Sequence, residues 1–467
     1  MRRAAFLAAA AAAAALRPRG ARAQPAAGIA PGATPPPREI AAQVRSEFVH
    51  AWEGYKRIAW GRDEMRPVSG TANDFFVPGA SFGLSIVEAL DTLYVMELDD
   101  ELTAATRWVV DRFDPDVDGD VQMFEAVIRL AGGLIAGYAA TGERKLLERA
   151  RDVADRLFPA FAKSPTGAPY RYVNPRTGAV REARTNLAEI GTNVLEFGEL
   201  SRLTGDPKYL RASMRAYETV LAKRSPLGLL GTWFDVERGV FTDARDVAPN
   251  PPVDSFYEYL WGGWQMLGEA RCRDWYRALT GAILKYQADR SHGELWFRQV
   301  DMTTGAPLGT RQVELAAFYA ELLAKGGDRA EGEAYYDSFT EVAQRYGIIP
   351  EVFDYATLQV ITPSNELRPE YANAAFDLWF FTRDPKYRDT AYAHFVQLRE
   401  NCRVANGYTI VDDVRPRPMK LGDLFPAYSF AENFKYLYLT FAESPRFDPS
   451  RYYLSTEGKI LRGLVRA

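Results

Sequence analysis

The chain has 467 residues, with 57 Lys and Arg against 61 Asp and Glu for a formal net charge of −4. No basic block and no interleaving of aromatic with basic residues occurs, which excludes a nucleic-acid partner. Only Cys272 and Cys402, with no C-x-x-C, and three scattered histidines, His50, His292 and His394, are present, which argues against a zinc or thiolate centre; whether the two cysteines pair is left open by the sequence.

In chain order, residues 1–23 (MRRAAFLAAAAAAAALRPRGARA) combine a basic start, an apolar run from Ala4 to Leu16 and an A-x-A ending at Ala23, the pattern of a signal peptide. No other long uncharged apolar run follows, so the mature protein is expected to be periplasmic or secreted, without a membrane span. Residues 24–37 (QPAAGIAPGATPPP) read as a partly polyproline linker, and residues 38–467 as one folded unit.

The period is helical almost throughout that unit. At 124–138, Phe124, Val127, Ile128, Ala131, Leu134, Ile135 and Tyr138 recur at helical spacing, yet Glu125 and Arg129 stand among them. On a solvated strip this i,i+4 pair would be worth a few tenths of a kcal/mol; in a packed interior the charges need a reason. SRLTGDPKYLRAS (201–213) and WFFTRDPKYRDTA (379–391) share T-x-D-P-K-Y, and YAATGERKLLERA (138–150) is a weaker copy. Each ends one helix, caps the next with Asp206 or Asp384 and offers Pro207 or Pro385 as its first residue. The unit is a helical hairpin, and hairpins closing into a ring with a central well make the expected fold an all-α toroid. Strands are expected to be minor, as hairpins near 168–184 and 293–308.

Several helices carry an acid among apolar and aromatic neighbours: Glu189 and Glu196 in NLAEIGTNVLEFGEL, Asp254 before FYEYLWGGW, Glu370 after Arg368 and Pro369, and Glu432 in YSFAENFKYLYLTF. Asp254 could be a helix cap worth about 1 kcal/mol, and Glu370 could merely complement a helix dipole. Glu189 has no base at i±3 or i±4, and Glu432 stands in a strongly aromatic run; carboxylates are rarely buried unpaired. A well lined by carboxylates and aromatics suits a sugar, with rings stacked on aromatic faces and carboxylates binding hydroxyls or serving as acid and base. It also suits a hard cation such as Ca²⁺, which takes oxygen ligands.

At this point the motifs resemble a known family. AWEGYKRIAWGRDEMRP (51–67), IVEALDTLYVMEL (86–98), FEAVIRLAGGLIAGY, LAEIGTNVLEFGELSRLTGDPKY, DSFYEYL, ELRPEYANAAFDLWFFTRDPKY and SFAENFKYLYLTF are similar, in order over residues 45–460, to the motifs of the family 47 glycoside hydrolases, the class I α-1,2-mannosidases. The resemblance implies an (αα)7 barrel and an inverting, Ca²⁺-dependent exo-α-1,2-mannosidase acting on α-mannoside oligosaccharides, here expected to be a monomer. It implies that Glu125, Asp254 and Glu370 are the catalytic acids, with carboxyl separations on the order of 6.5–9.5 Å. Arg129, Glu189, Arg368, Tyr428 and Glu432 fall where the family contacts mannose or holds site waters. LSTEGKI (454–460) keeps Thr456, the position that binds Ca²⁺ through its hydroxyl and carbonyl oxygens, together with Glu457. Gly132 and Gly133 would serve close helix packing.

The chain also departs from the family. The usual H-L-x-C-F is ELAAF (314–318), so Glu314 replaces a subsite His and Ala317 a disulfide Cys, and the family's disulfide is expected to be absent. Pro252 replaces an Arg that helps some members choose among mannose branches. With the Ala-rich leader, these features suggest a bacterial-type exported member. A non-catalytic, lectin-like Ca²⁺-dependent mannose-binding protein of the same fold is the alternative; the presence of all three acids favours the enzyme.

Overall fold

The computed structural model describes residues 34–464. The expected signal peptide and most of the expected linker lie outside the described residues; within them, Pro37 is already the first residue of a helix rather than the end of a linker.

Helices alternate between an outer and an inner position. The outer helices are α1 (Pro37–Ala59), α3 (Asp99–Arg112), α5 (Arg144–Leu157), α7 (Lys208–Leu221), α9 (Ala270–Tyr286), α11 (Arg329–Tyr346) and α13 (Pro385–Cys402). The inner helices are α2 (Leu84–Val95), α4 (Met123–Thr141), α6 (Val194–Thr204), α8 (Asp254–Leu267), α10 (Tyr319–Gly326), α12 (Glu370–Thr382) and α14 (Asn433–Phe441). α1 packs on α14, so the last inner helix meets the first outer one and the described residues close into an (αα)7 barrel.

The two rings differ as their sequences do. α5 buries only Leu146, Ala150, Val153, Ala154 and Leu157, one stripe at helical spacing. α2 buries every residue from Leu84 to Leu93, and α4, as long and apolar as a membrane span, is packed inside the ring. Gly133 lets α4 approach α2 closely, since a Cβ there would lie 2.7 Å from Val87 Cγ1.

Each inner helix except α14 turns tightly into the outer helix that follows it, and the recurring T-x-D-P has a local mechanism. Thr204 Oγ1 donates to the Leu200 carbonyl (2.7 Å) and accepts the Asp206 N–H (3.3 Å), and Asp206 accepts the Lys208 N–H (3.0 Å). Thr382 and Asp384 repeat the pattern, and in the weaker copy Glu143 accepts the Lys145 N–H. One detail differs from expectation. α7 begins at Lys208, with Pro207 just outside it, whereas Pro385 does open α13.

The returns from outer to inner helices are longer and carry small antiparallel sheets. The two expected hairpins are present, Tyr172–Val173 with Val180–Arg181 and Gln299–Asp301 with Pro307–Gly309. Six further small sheets accompany them, made of strands too short for an alternating pattern to mark. Because all these returns enter the inner helices at their N-termini, that end of the ring is the elaborated one.

The C-terminal segment runs back into the bore. Tyr453 Oη donates to the Glu258 carbonyl of α8 (3.1 Å), Lys459 Nζ pairs with Glu88 of α2, and the Ile460 N–H donates to Asp91 Oδ2 (2.9 Å). Lys435 of α14 bonds both Asp91 (2.8 Å) and the Gly458 carbonyl (2.7 Å). The segment therefore plugs the ring at the level of these buried ion pairs. Cys272 and Cys402 are both free and buried, Cys272 beside the Met214 sulfur, so they form no disulfide with each other.

Candidate active site

Above the plug lies a cavity of about 370 Å³, at the N-terminal ends of the inner helices. Glu125, Arg129, Glu189, Asp254, Arg368, Glu370, Tyr428, Glu432, Thr456 and Glu457 all line it. Residues far apart in the chain meet because each sits at, or just before, the start of an inner helix or on the plug. Helix N-termini carry partial positive charge, which favours carboxylates there.

Glu125 and Arg129 lie on α4, whose backbone widens into a π-helical stretch at Ala126–Ala131 directly after Glu125. Such stretches are frequent at functional sites. Arg129 donates from Nε to Glu125 (2.7 Å) and from Nη1 to Glu457, with Glu88 3.6 Å away. Its guanidinium lies between the rings of Phe75 and Tyr428, at 5.3 and 5.4 Å. The pair is thus a buried charge network and not a solvated strip.

Asp254 opens α8, where its carboxyl accepts backbone N–H groups of the first turn, its own and that of Ser255, while still lining the cavity. Burial raises its pKa to about 6, and the Glu125 carboxylate adds to the shift against the pull of Arg368. Glu370 opens α12, and burial raises it to about 7, opposed chiefly by Arg368. Both groups can therefore hold or release a proton near neutral pH. Arg368 is fixed by Glu351 (2.8 Å) and Glu366 (2.9 Å). Leu367, just before it, is held at φ 58° between the Asn365 side chain and Asn433. A left-handed non-glycine residue costs on the order of 1 kcal/mol or more and marks a loop shaped for its site.

Glu189 finds its base from elsewhere in the chain. It accepts from Arg171 (2.9 Å), Gln122 (2.7 Å) and Thr185 (2.6 Å), while Asn186 caps its N–H at 3.0 Å. Glu432 is pushed well up by burial and by the neighbouring Glu457 and Glu370 carboxylates, and Glu457 is raised to about 8 by burial against the pull of Arg129.

Glu314 departs from expectation. Instead of contacting the cavity it is 1% exposed and stands behind Glu370, hydrogen-bonded to that carboxyl, because the 3-10 turn Glu314–Phe318 packs against α12. Sequence reasoning also missed lining residues. Glu258 and the bore acids Glu88 and Asp91 carry the signal that marked Glu432, an acid inside an apolar run. Gln122, Arg171, Asn186, Trp233 and Asn373 lie in returns or on a helix with no such signal.

The donor set fits a hard cation. The Thr456 hydroxyl donates to Glu258, whose own pKa burial raises well above the usual range, and Glu432 and Glu457 crowd the same region with like charge. Among the described residues no group of three or more His, Cys, Asp or Glu stands at metal-ligand spacing.

Comparison with known proteins agrees with this architecture. The profile of glycosyl hydrolase family 47 matches residues 47–463. Mannosyl-oligosaccharide 1,2-alpha-mannosidase IB of Homo sapiens is 32% identical over 91% of this chain and 70% of its own length. Alpha-mannosidase I MNS5 of Arabidopsis thaliana is 31% identical over 90% of this chain and 76% of its own. The solved structure of alpha-1,2-mannosidase from Trichoderma reesei superposes with a TM-score of 0.83 at 25% identity, covering 91% of this chain and 99% of that one.

Proposed function

Because the chain belongs to glycosyl hydrolase family 47, we propose that its well hydrolyses terminal α-1,2-linked mannose from oligosaccharides, with inversion and with Ca²⁺ bound at Thr456. The observation that carries this reading is the convergence of Glu125, Asp254 and Glu370 on one cavity, two of them with pKa values raised to about 6 and 7. The relatives named above are mannosidases, which favours mannose as the sugar.

In the proposed reaction one carboxyl gives its proton to the leaving glycosidic oxygen as the C1–O bond breaks. A second takes a proton from the water that forms the new C1–O bond on the opposite face. Glu370, kept partly ionised by Arg368, suits the second role, and Arg129 fixes the orientation of Glu125. Tyr428 and Phe318 offer apolar faces to the ring, and Glu189 and Arg171 offer hydroxyl partners. When bound at the Thr456 hydroxyl and carbonyl, Ca²⁺ would supply a fixed positive charge that organises sugar hydroxyls and water. The N-terminal 23 residues are read as an export signal, which N-terminal sequencing of the mature protein would test.

The deciding experiment incubates the protein with α-1,2-mannobiose with and without EDTA, then with added Ca²⁺, and follows the released anomer by NMR. Release of β-mannose that EDTA abolishes and Ca²⁺ restores is expected. Release of α-mannose would overturn inversion, and indifference to EDTA would overturn the cation. Ca²⁺-dependent mannose binding without turnover would select the lectin-like alternative.

A further inference from the structure

Glu314 is a fully buried carboxyl in hydrogen-bond contact with the Glu370 carboxyl, and Oε2 of each finds no N–H or O–H donor from any other group. Two buried carboxylate oxygens in contact cannot both remain ionised and unpartnered, because each would forfeit its hydration without compensation. Among the described residues the cation that bears on both carboxyls is Arg368, which is committed to Glu351 through Nε (3.0 Å) and Nη2 (2.8 Å) and to Glu366. The remaining charged or titratable groups facing the pair are Glu351 from the segment before α12, and Tyr428 and Glu432 from across the well; none adds a positive charge. Glu314 is held in place by its own backbone, whose N–H donates to the Glu351 carbonyl (3.0 Å).

We infer that Glu314 is a positioning residue for the proposed hydrolysis: it stays protonated and donates a hydrogen bond to the rear oxygen of Glu370, fixing that carboxylate and leaving its other oxygen free to take a proton from water. The inference rests on Glu370 being the base proposed above. Like two carboxyls sharing one proton, the pair titrates as a unit, and burial beside Glu370 and Glu351 drives Glu314 well above the usual carboxylate range. The donated hydrogen bond favours the ionised form of Glu370.

Two variants separate this role from simple packing. Glu314→Gln keeps a donor of the same shape and is expected to hold kcat/KM within about threefold, with the acidic limb of the pH profile in place. Glu314→Leu removes the donor. It is expected to lower kcat about tenfold with KM little changed, and to move the acidic limb up by about one pH unit. An infrared difference spectrum at pH 7 should show a protonated-carboxyl band in the wild type that Glu314→Gln lacks. A Leu variant with an unmoved limb, or a wild-type spectrum without that band, would overturn the inference. The infrared arm needs no turnover, so failure of the wild type to release mannose would count against the proposed function and still leave the proton on Glu314 decided.

Discussion

Arg129 shows how a charged side chain can be held deep in an apolar helix. It is 8% exposed and faces Glu125, Glu457 and Glu88, so its removal would leave the buried Glu457 without its cation and Glu125 without its orienting partner, while Glu88 keeps Lys459. Breaking a buried ionic network by deleting one member costs about 3–5 kcal/mol. Arg129→Met, which keeps the volume, is expected to lower stability by about that amount in denaturant titration and to abolish turnover; a loss under about 1 kcal/mol would show that the carboxyls simply take up protons. At this scale much of the site was legible in the sequence. An acid set in a largely apolar or aromatic helix announces itself, and Glu125, Glu189, Asp254, Glu370 and Glu432 all reach the well. Glu314 was placed in the right neighbourhood and given the wrong contact, since a sequence position does not say on which side of a neighbour a side chain stands. Trp233 and Arg171 were not legible, because residues in irregular returns have no periodic background to stand out from.

Helix contacts explain the paired glycines of α4. A Cβ on Gly133 would lie 2.7 Å from Val87 Cγ1 and 2.8 Å from the Val87 carbonyl oxygen, whereas on Gly132 its nearest neighbour is Glu196 Cγ at 3.3 Å. Gly133→Ala is therefore expected to cost about 1–3 kcal/mol through overpacking between α4 and α2. Gly132→Ala gains about 1 kcal/mol of helix propensity against a milder crowding and should lie close to neutral. Thermal unfolding of the two variants distinguishes them, and equal losses would contradict the described helix approach. The helical hairpins were legible because T-x-D-P carries its own hydrogen bonds. The small sheets were not, since their strands of two to four residues are shorter than the pattern that would reveal them.

Viewed whole, a chain of net charge −4 gathers much of its acid in one bore. Asp254 is raised to about 6, Glu196 and Glu370 to about 7 and Glu457 to about 8, mainly by burial. A raised folded-state pKa means that the folded protein holds protons the unfolded chain has already released. Stability therefore falls as pH rises from the unfolded carboxylate value, about 4.5, through these folded values. Calorimetry of the metal-free protein should show Tm decreasing between pH 5 and 8. Ca²⁺ at 100 times its Kd should return about 2.7 kcal/mol at the upper end. A Tm that rises over this range, or no response to Ca²⁺ at pH 8, would contradict the picture of a well whose negative charge awaits a cation.

The plug has a consequence for the order of manufacture. Thr456 and Glu457 belong to the floor of the well, and α1 packs on α14 near the opposite end of the chain. During synthesis from the N-terminus the earlier hairpins can form one by one as they emerge, but the ring cannot close on α1 until α14 is made, and the well has no floor until Thr456 and Glu457 follow it. Without residues 453–460 the barrel would have an open bottom, and Glu88 would lose Lys459 while Asp91 kept only Lys435.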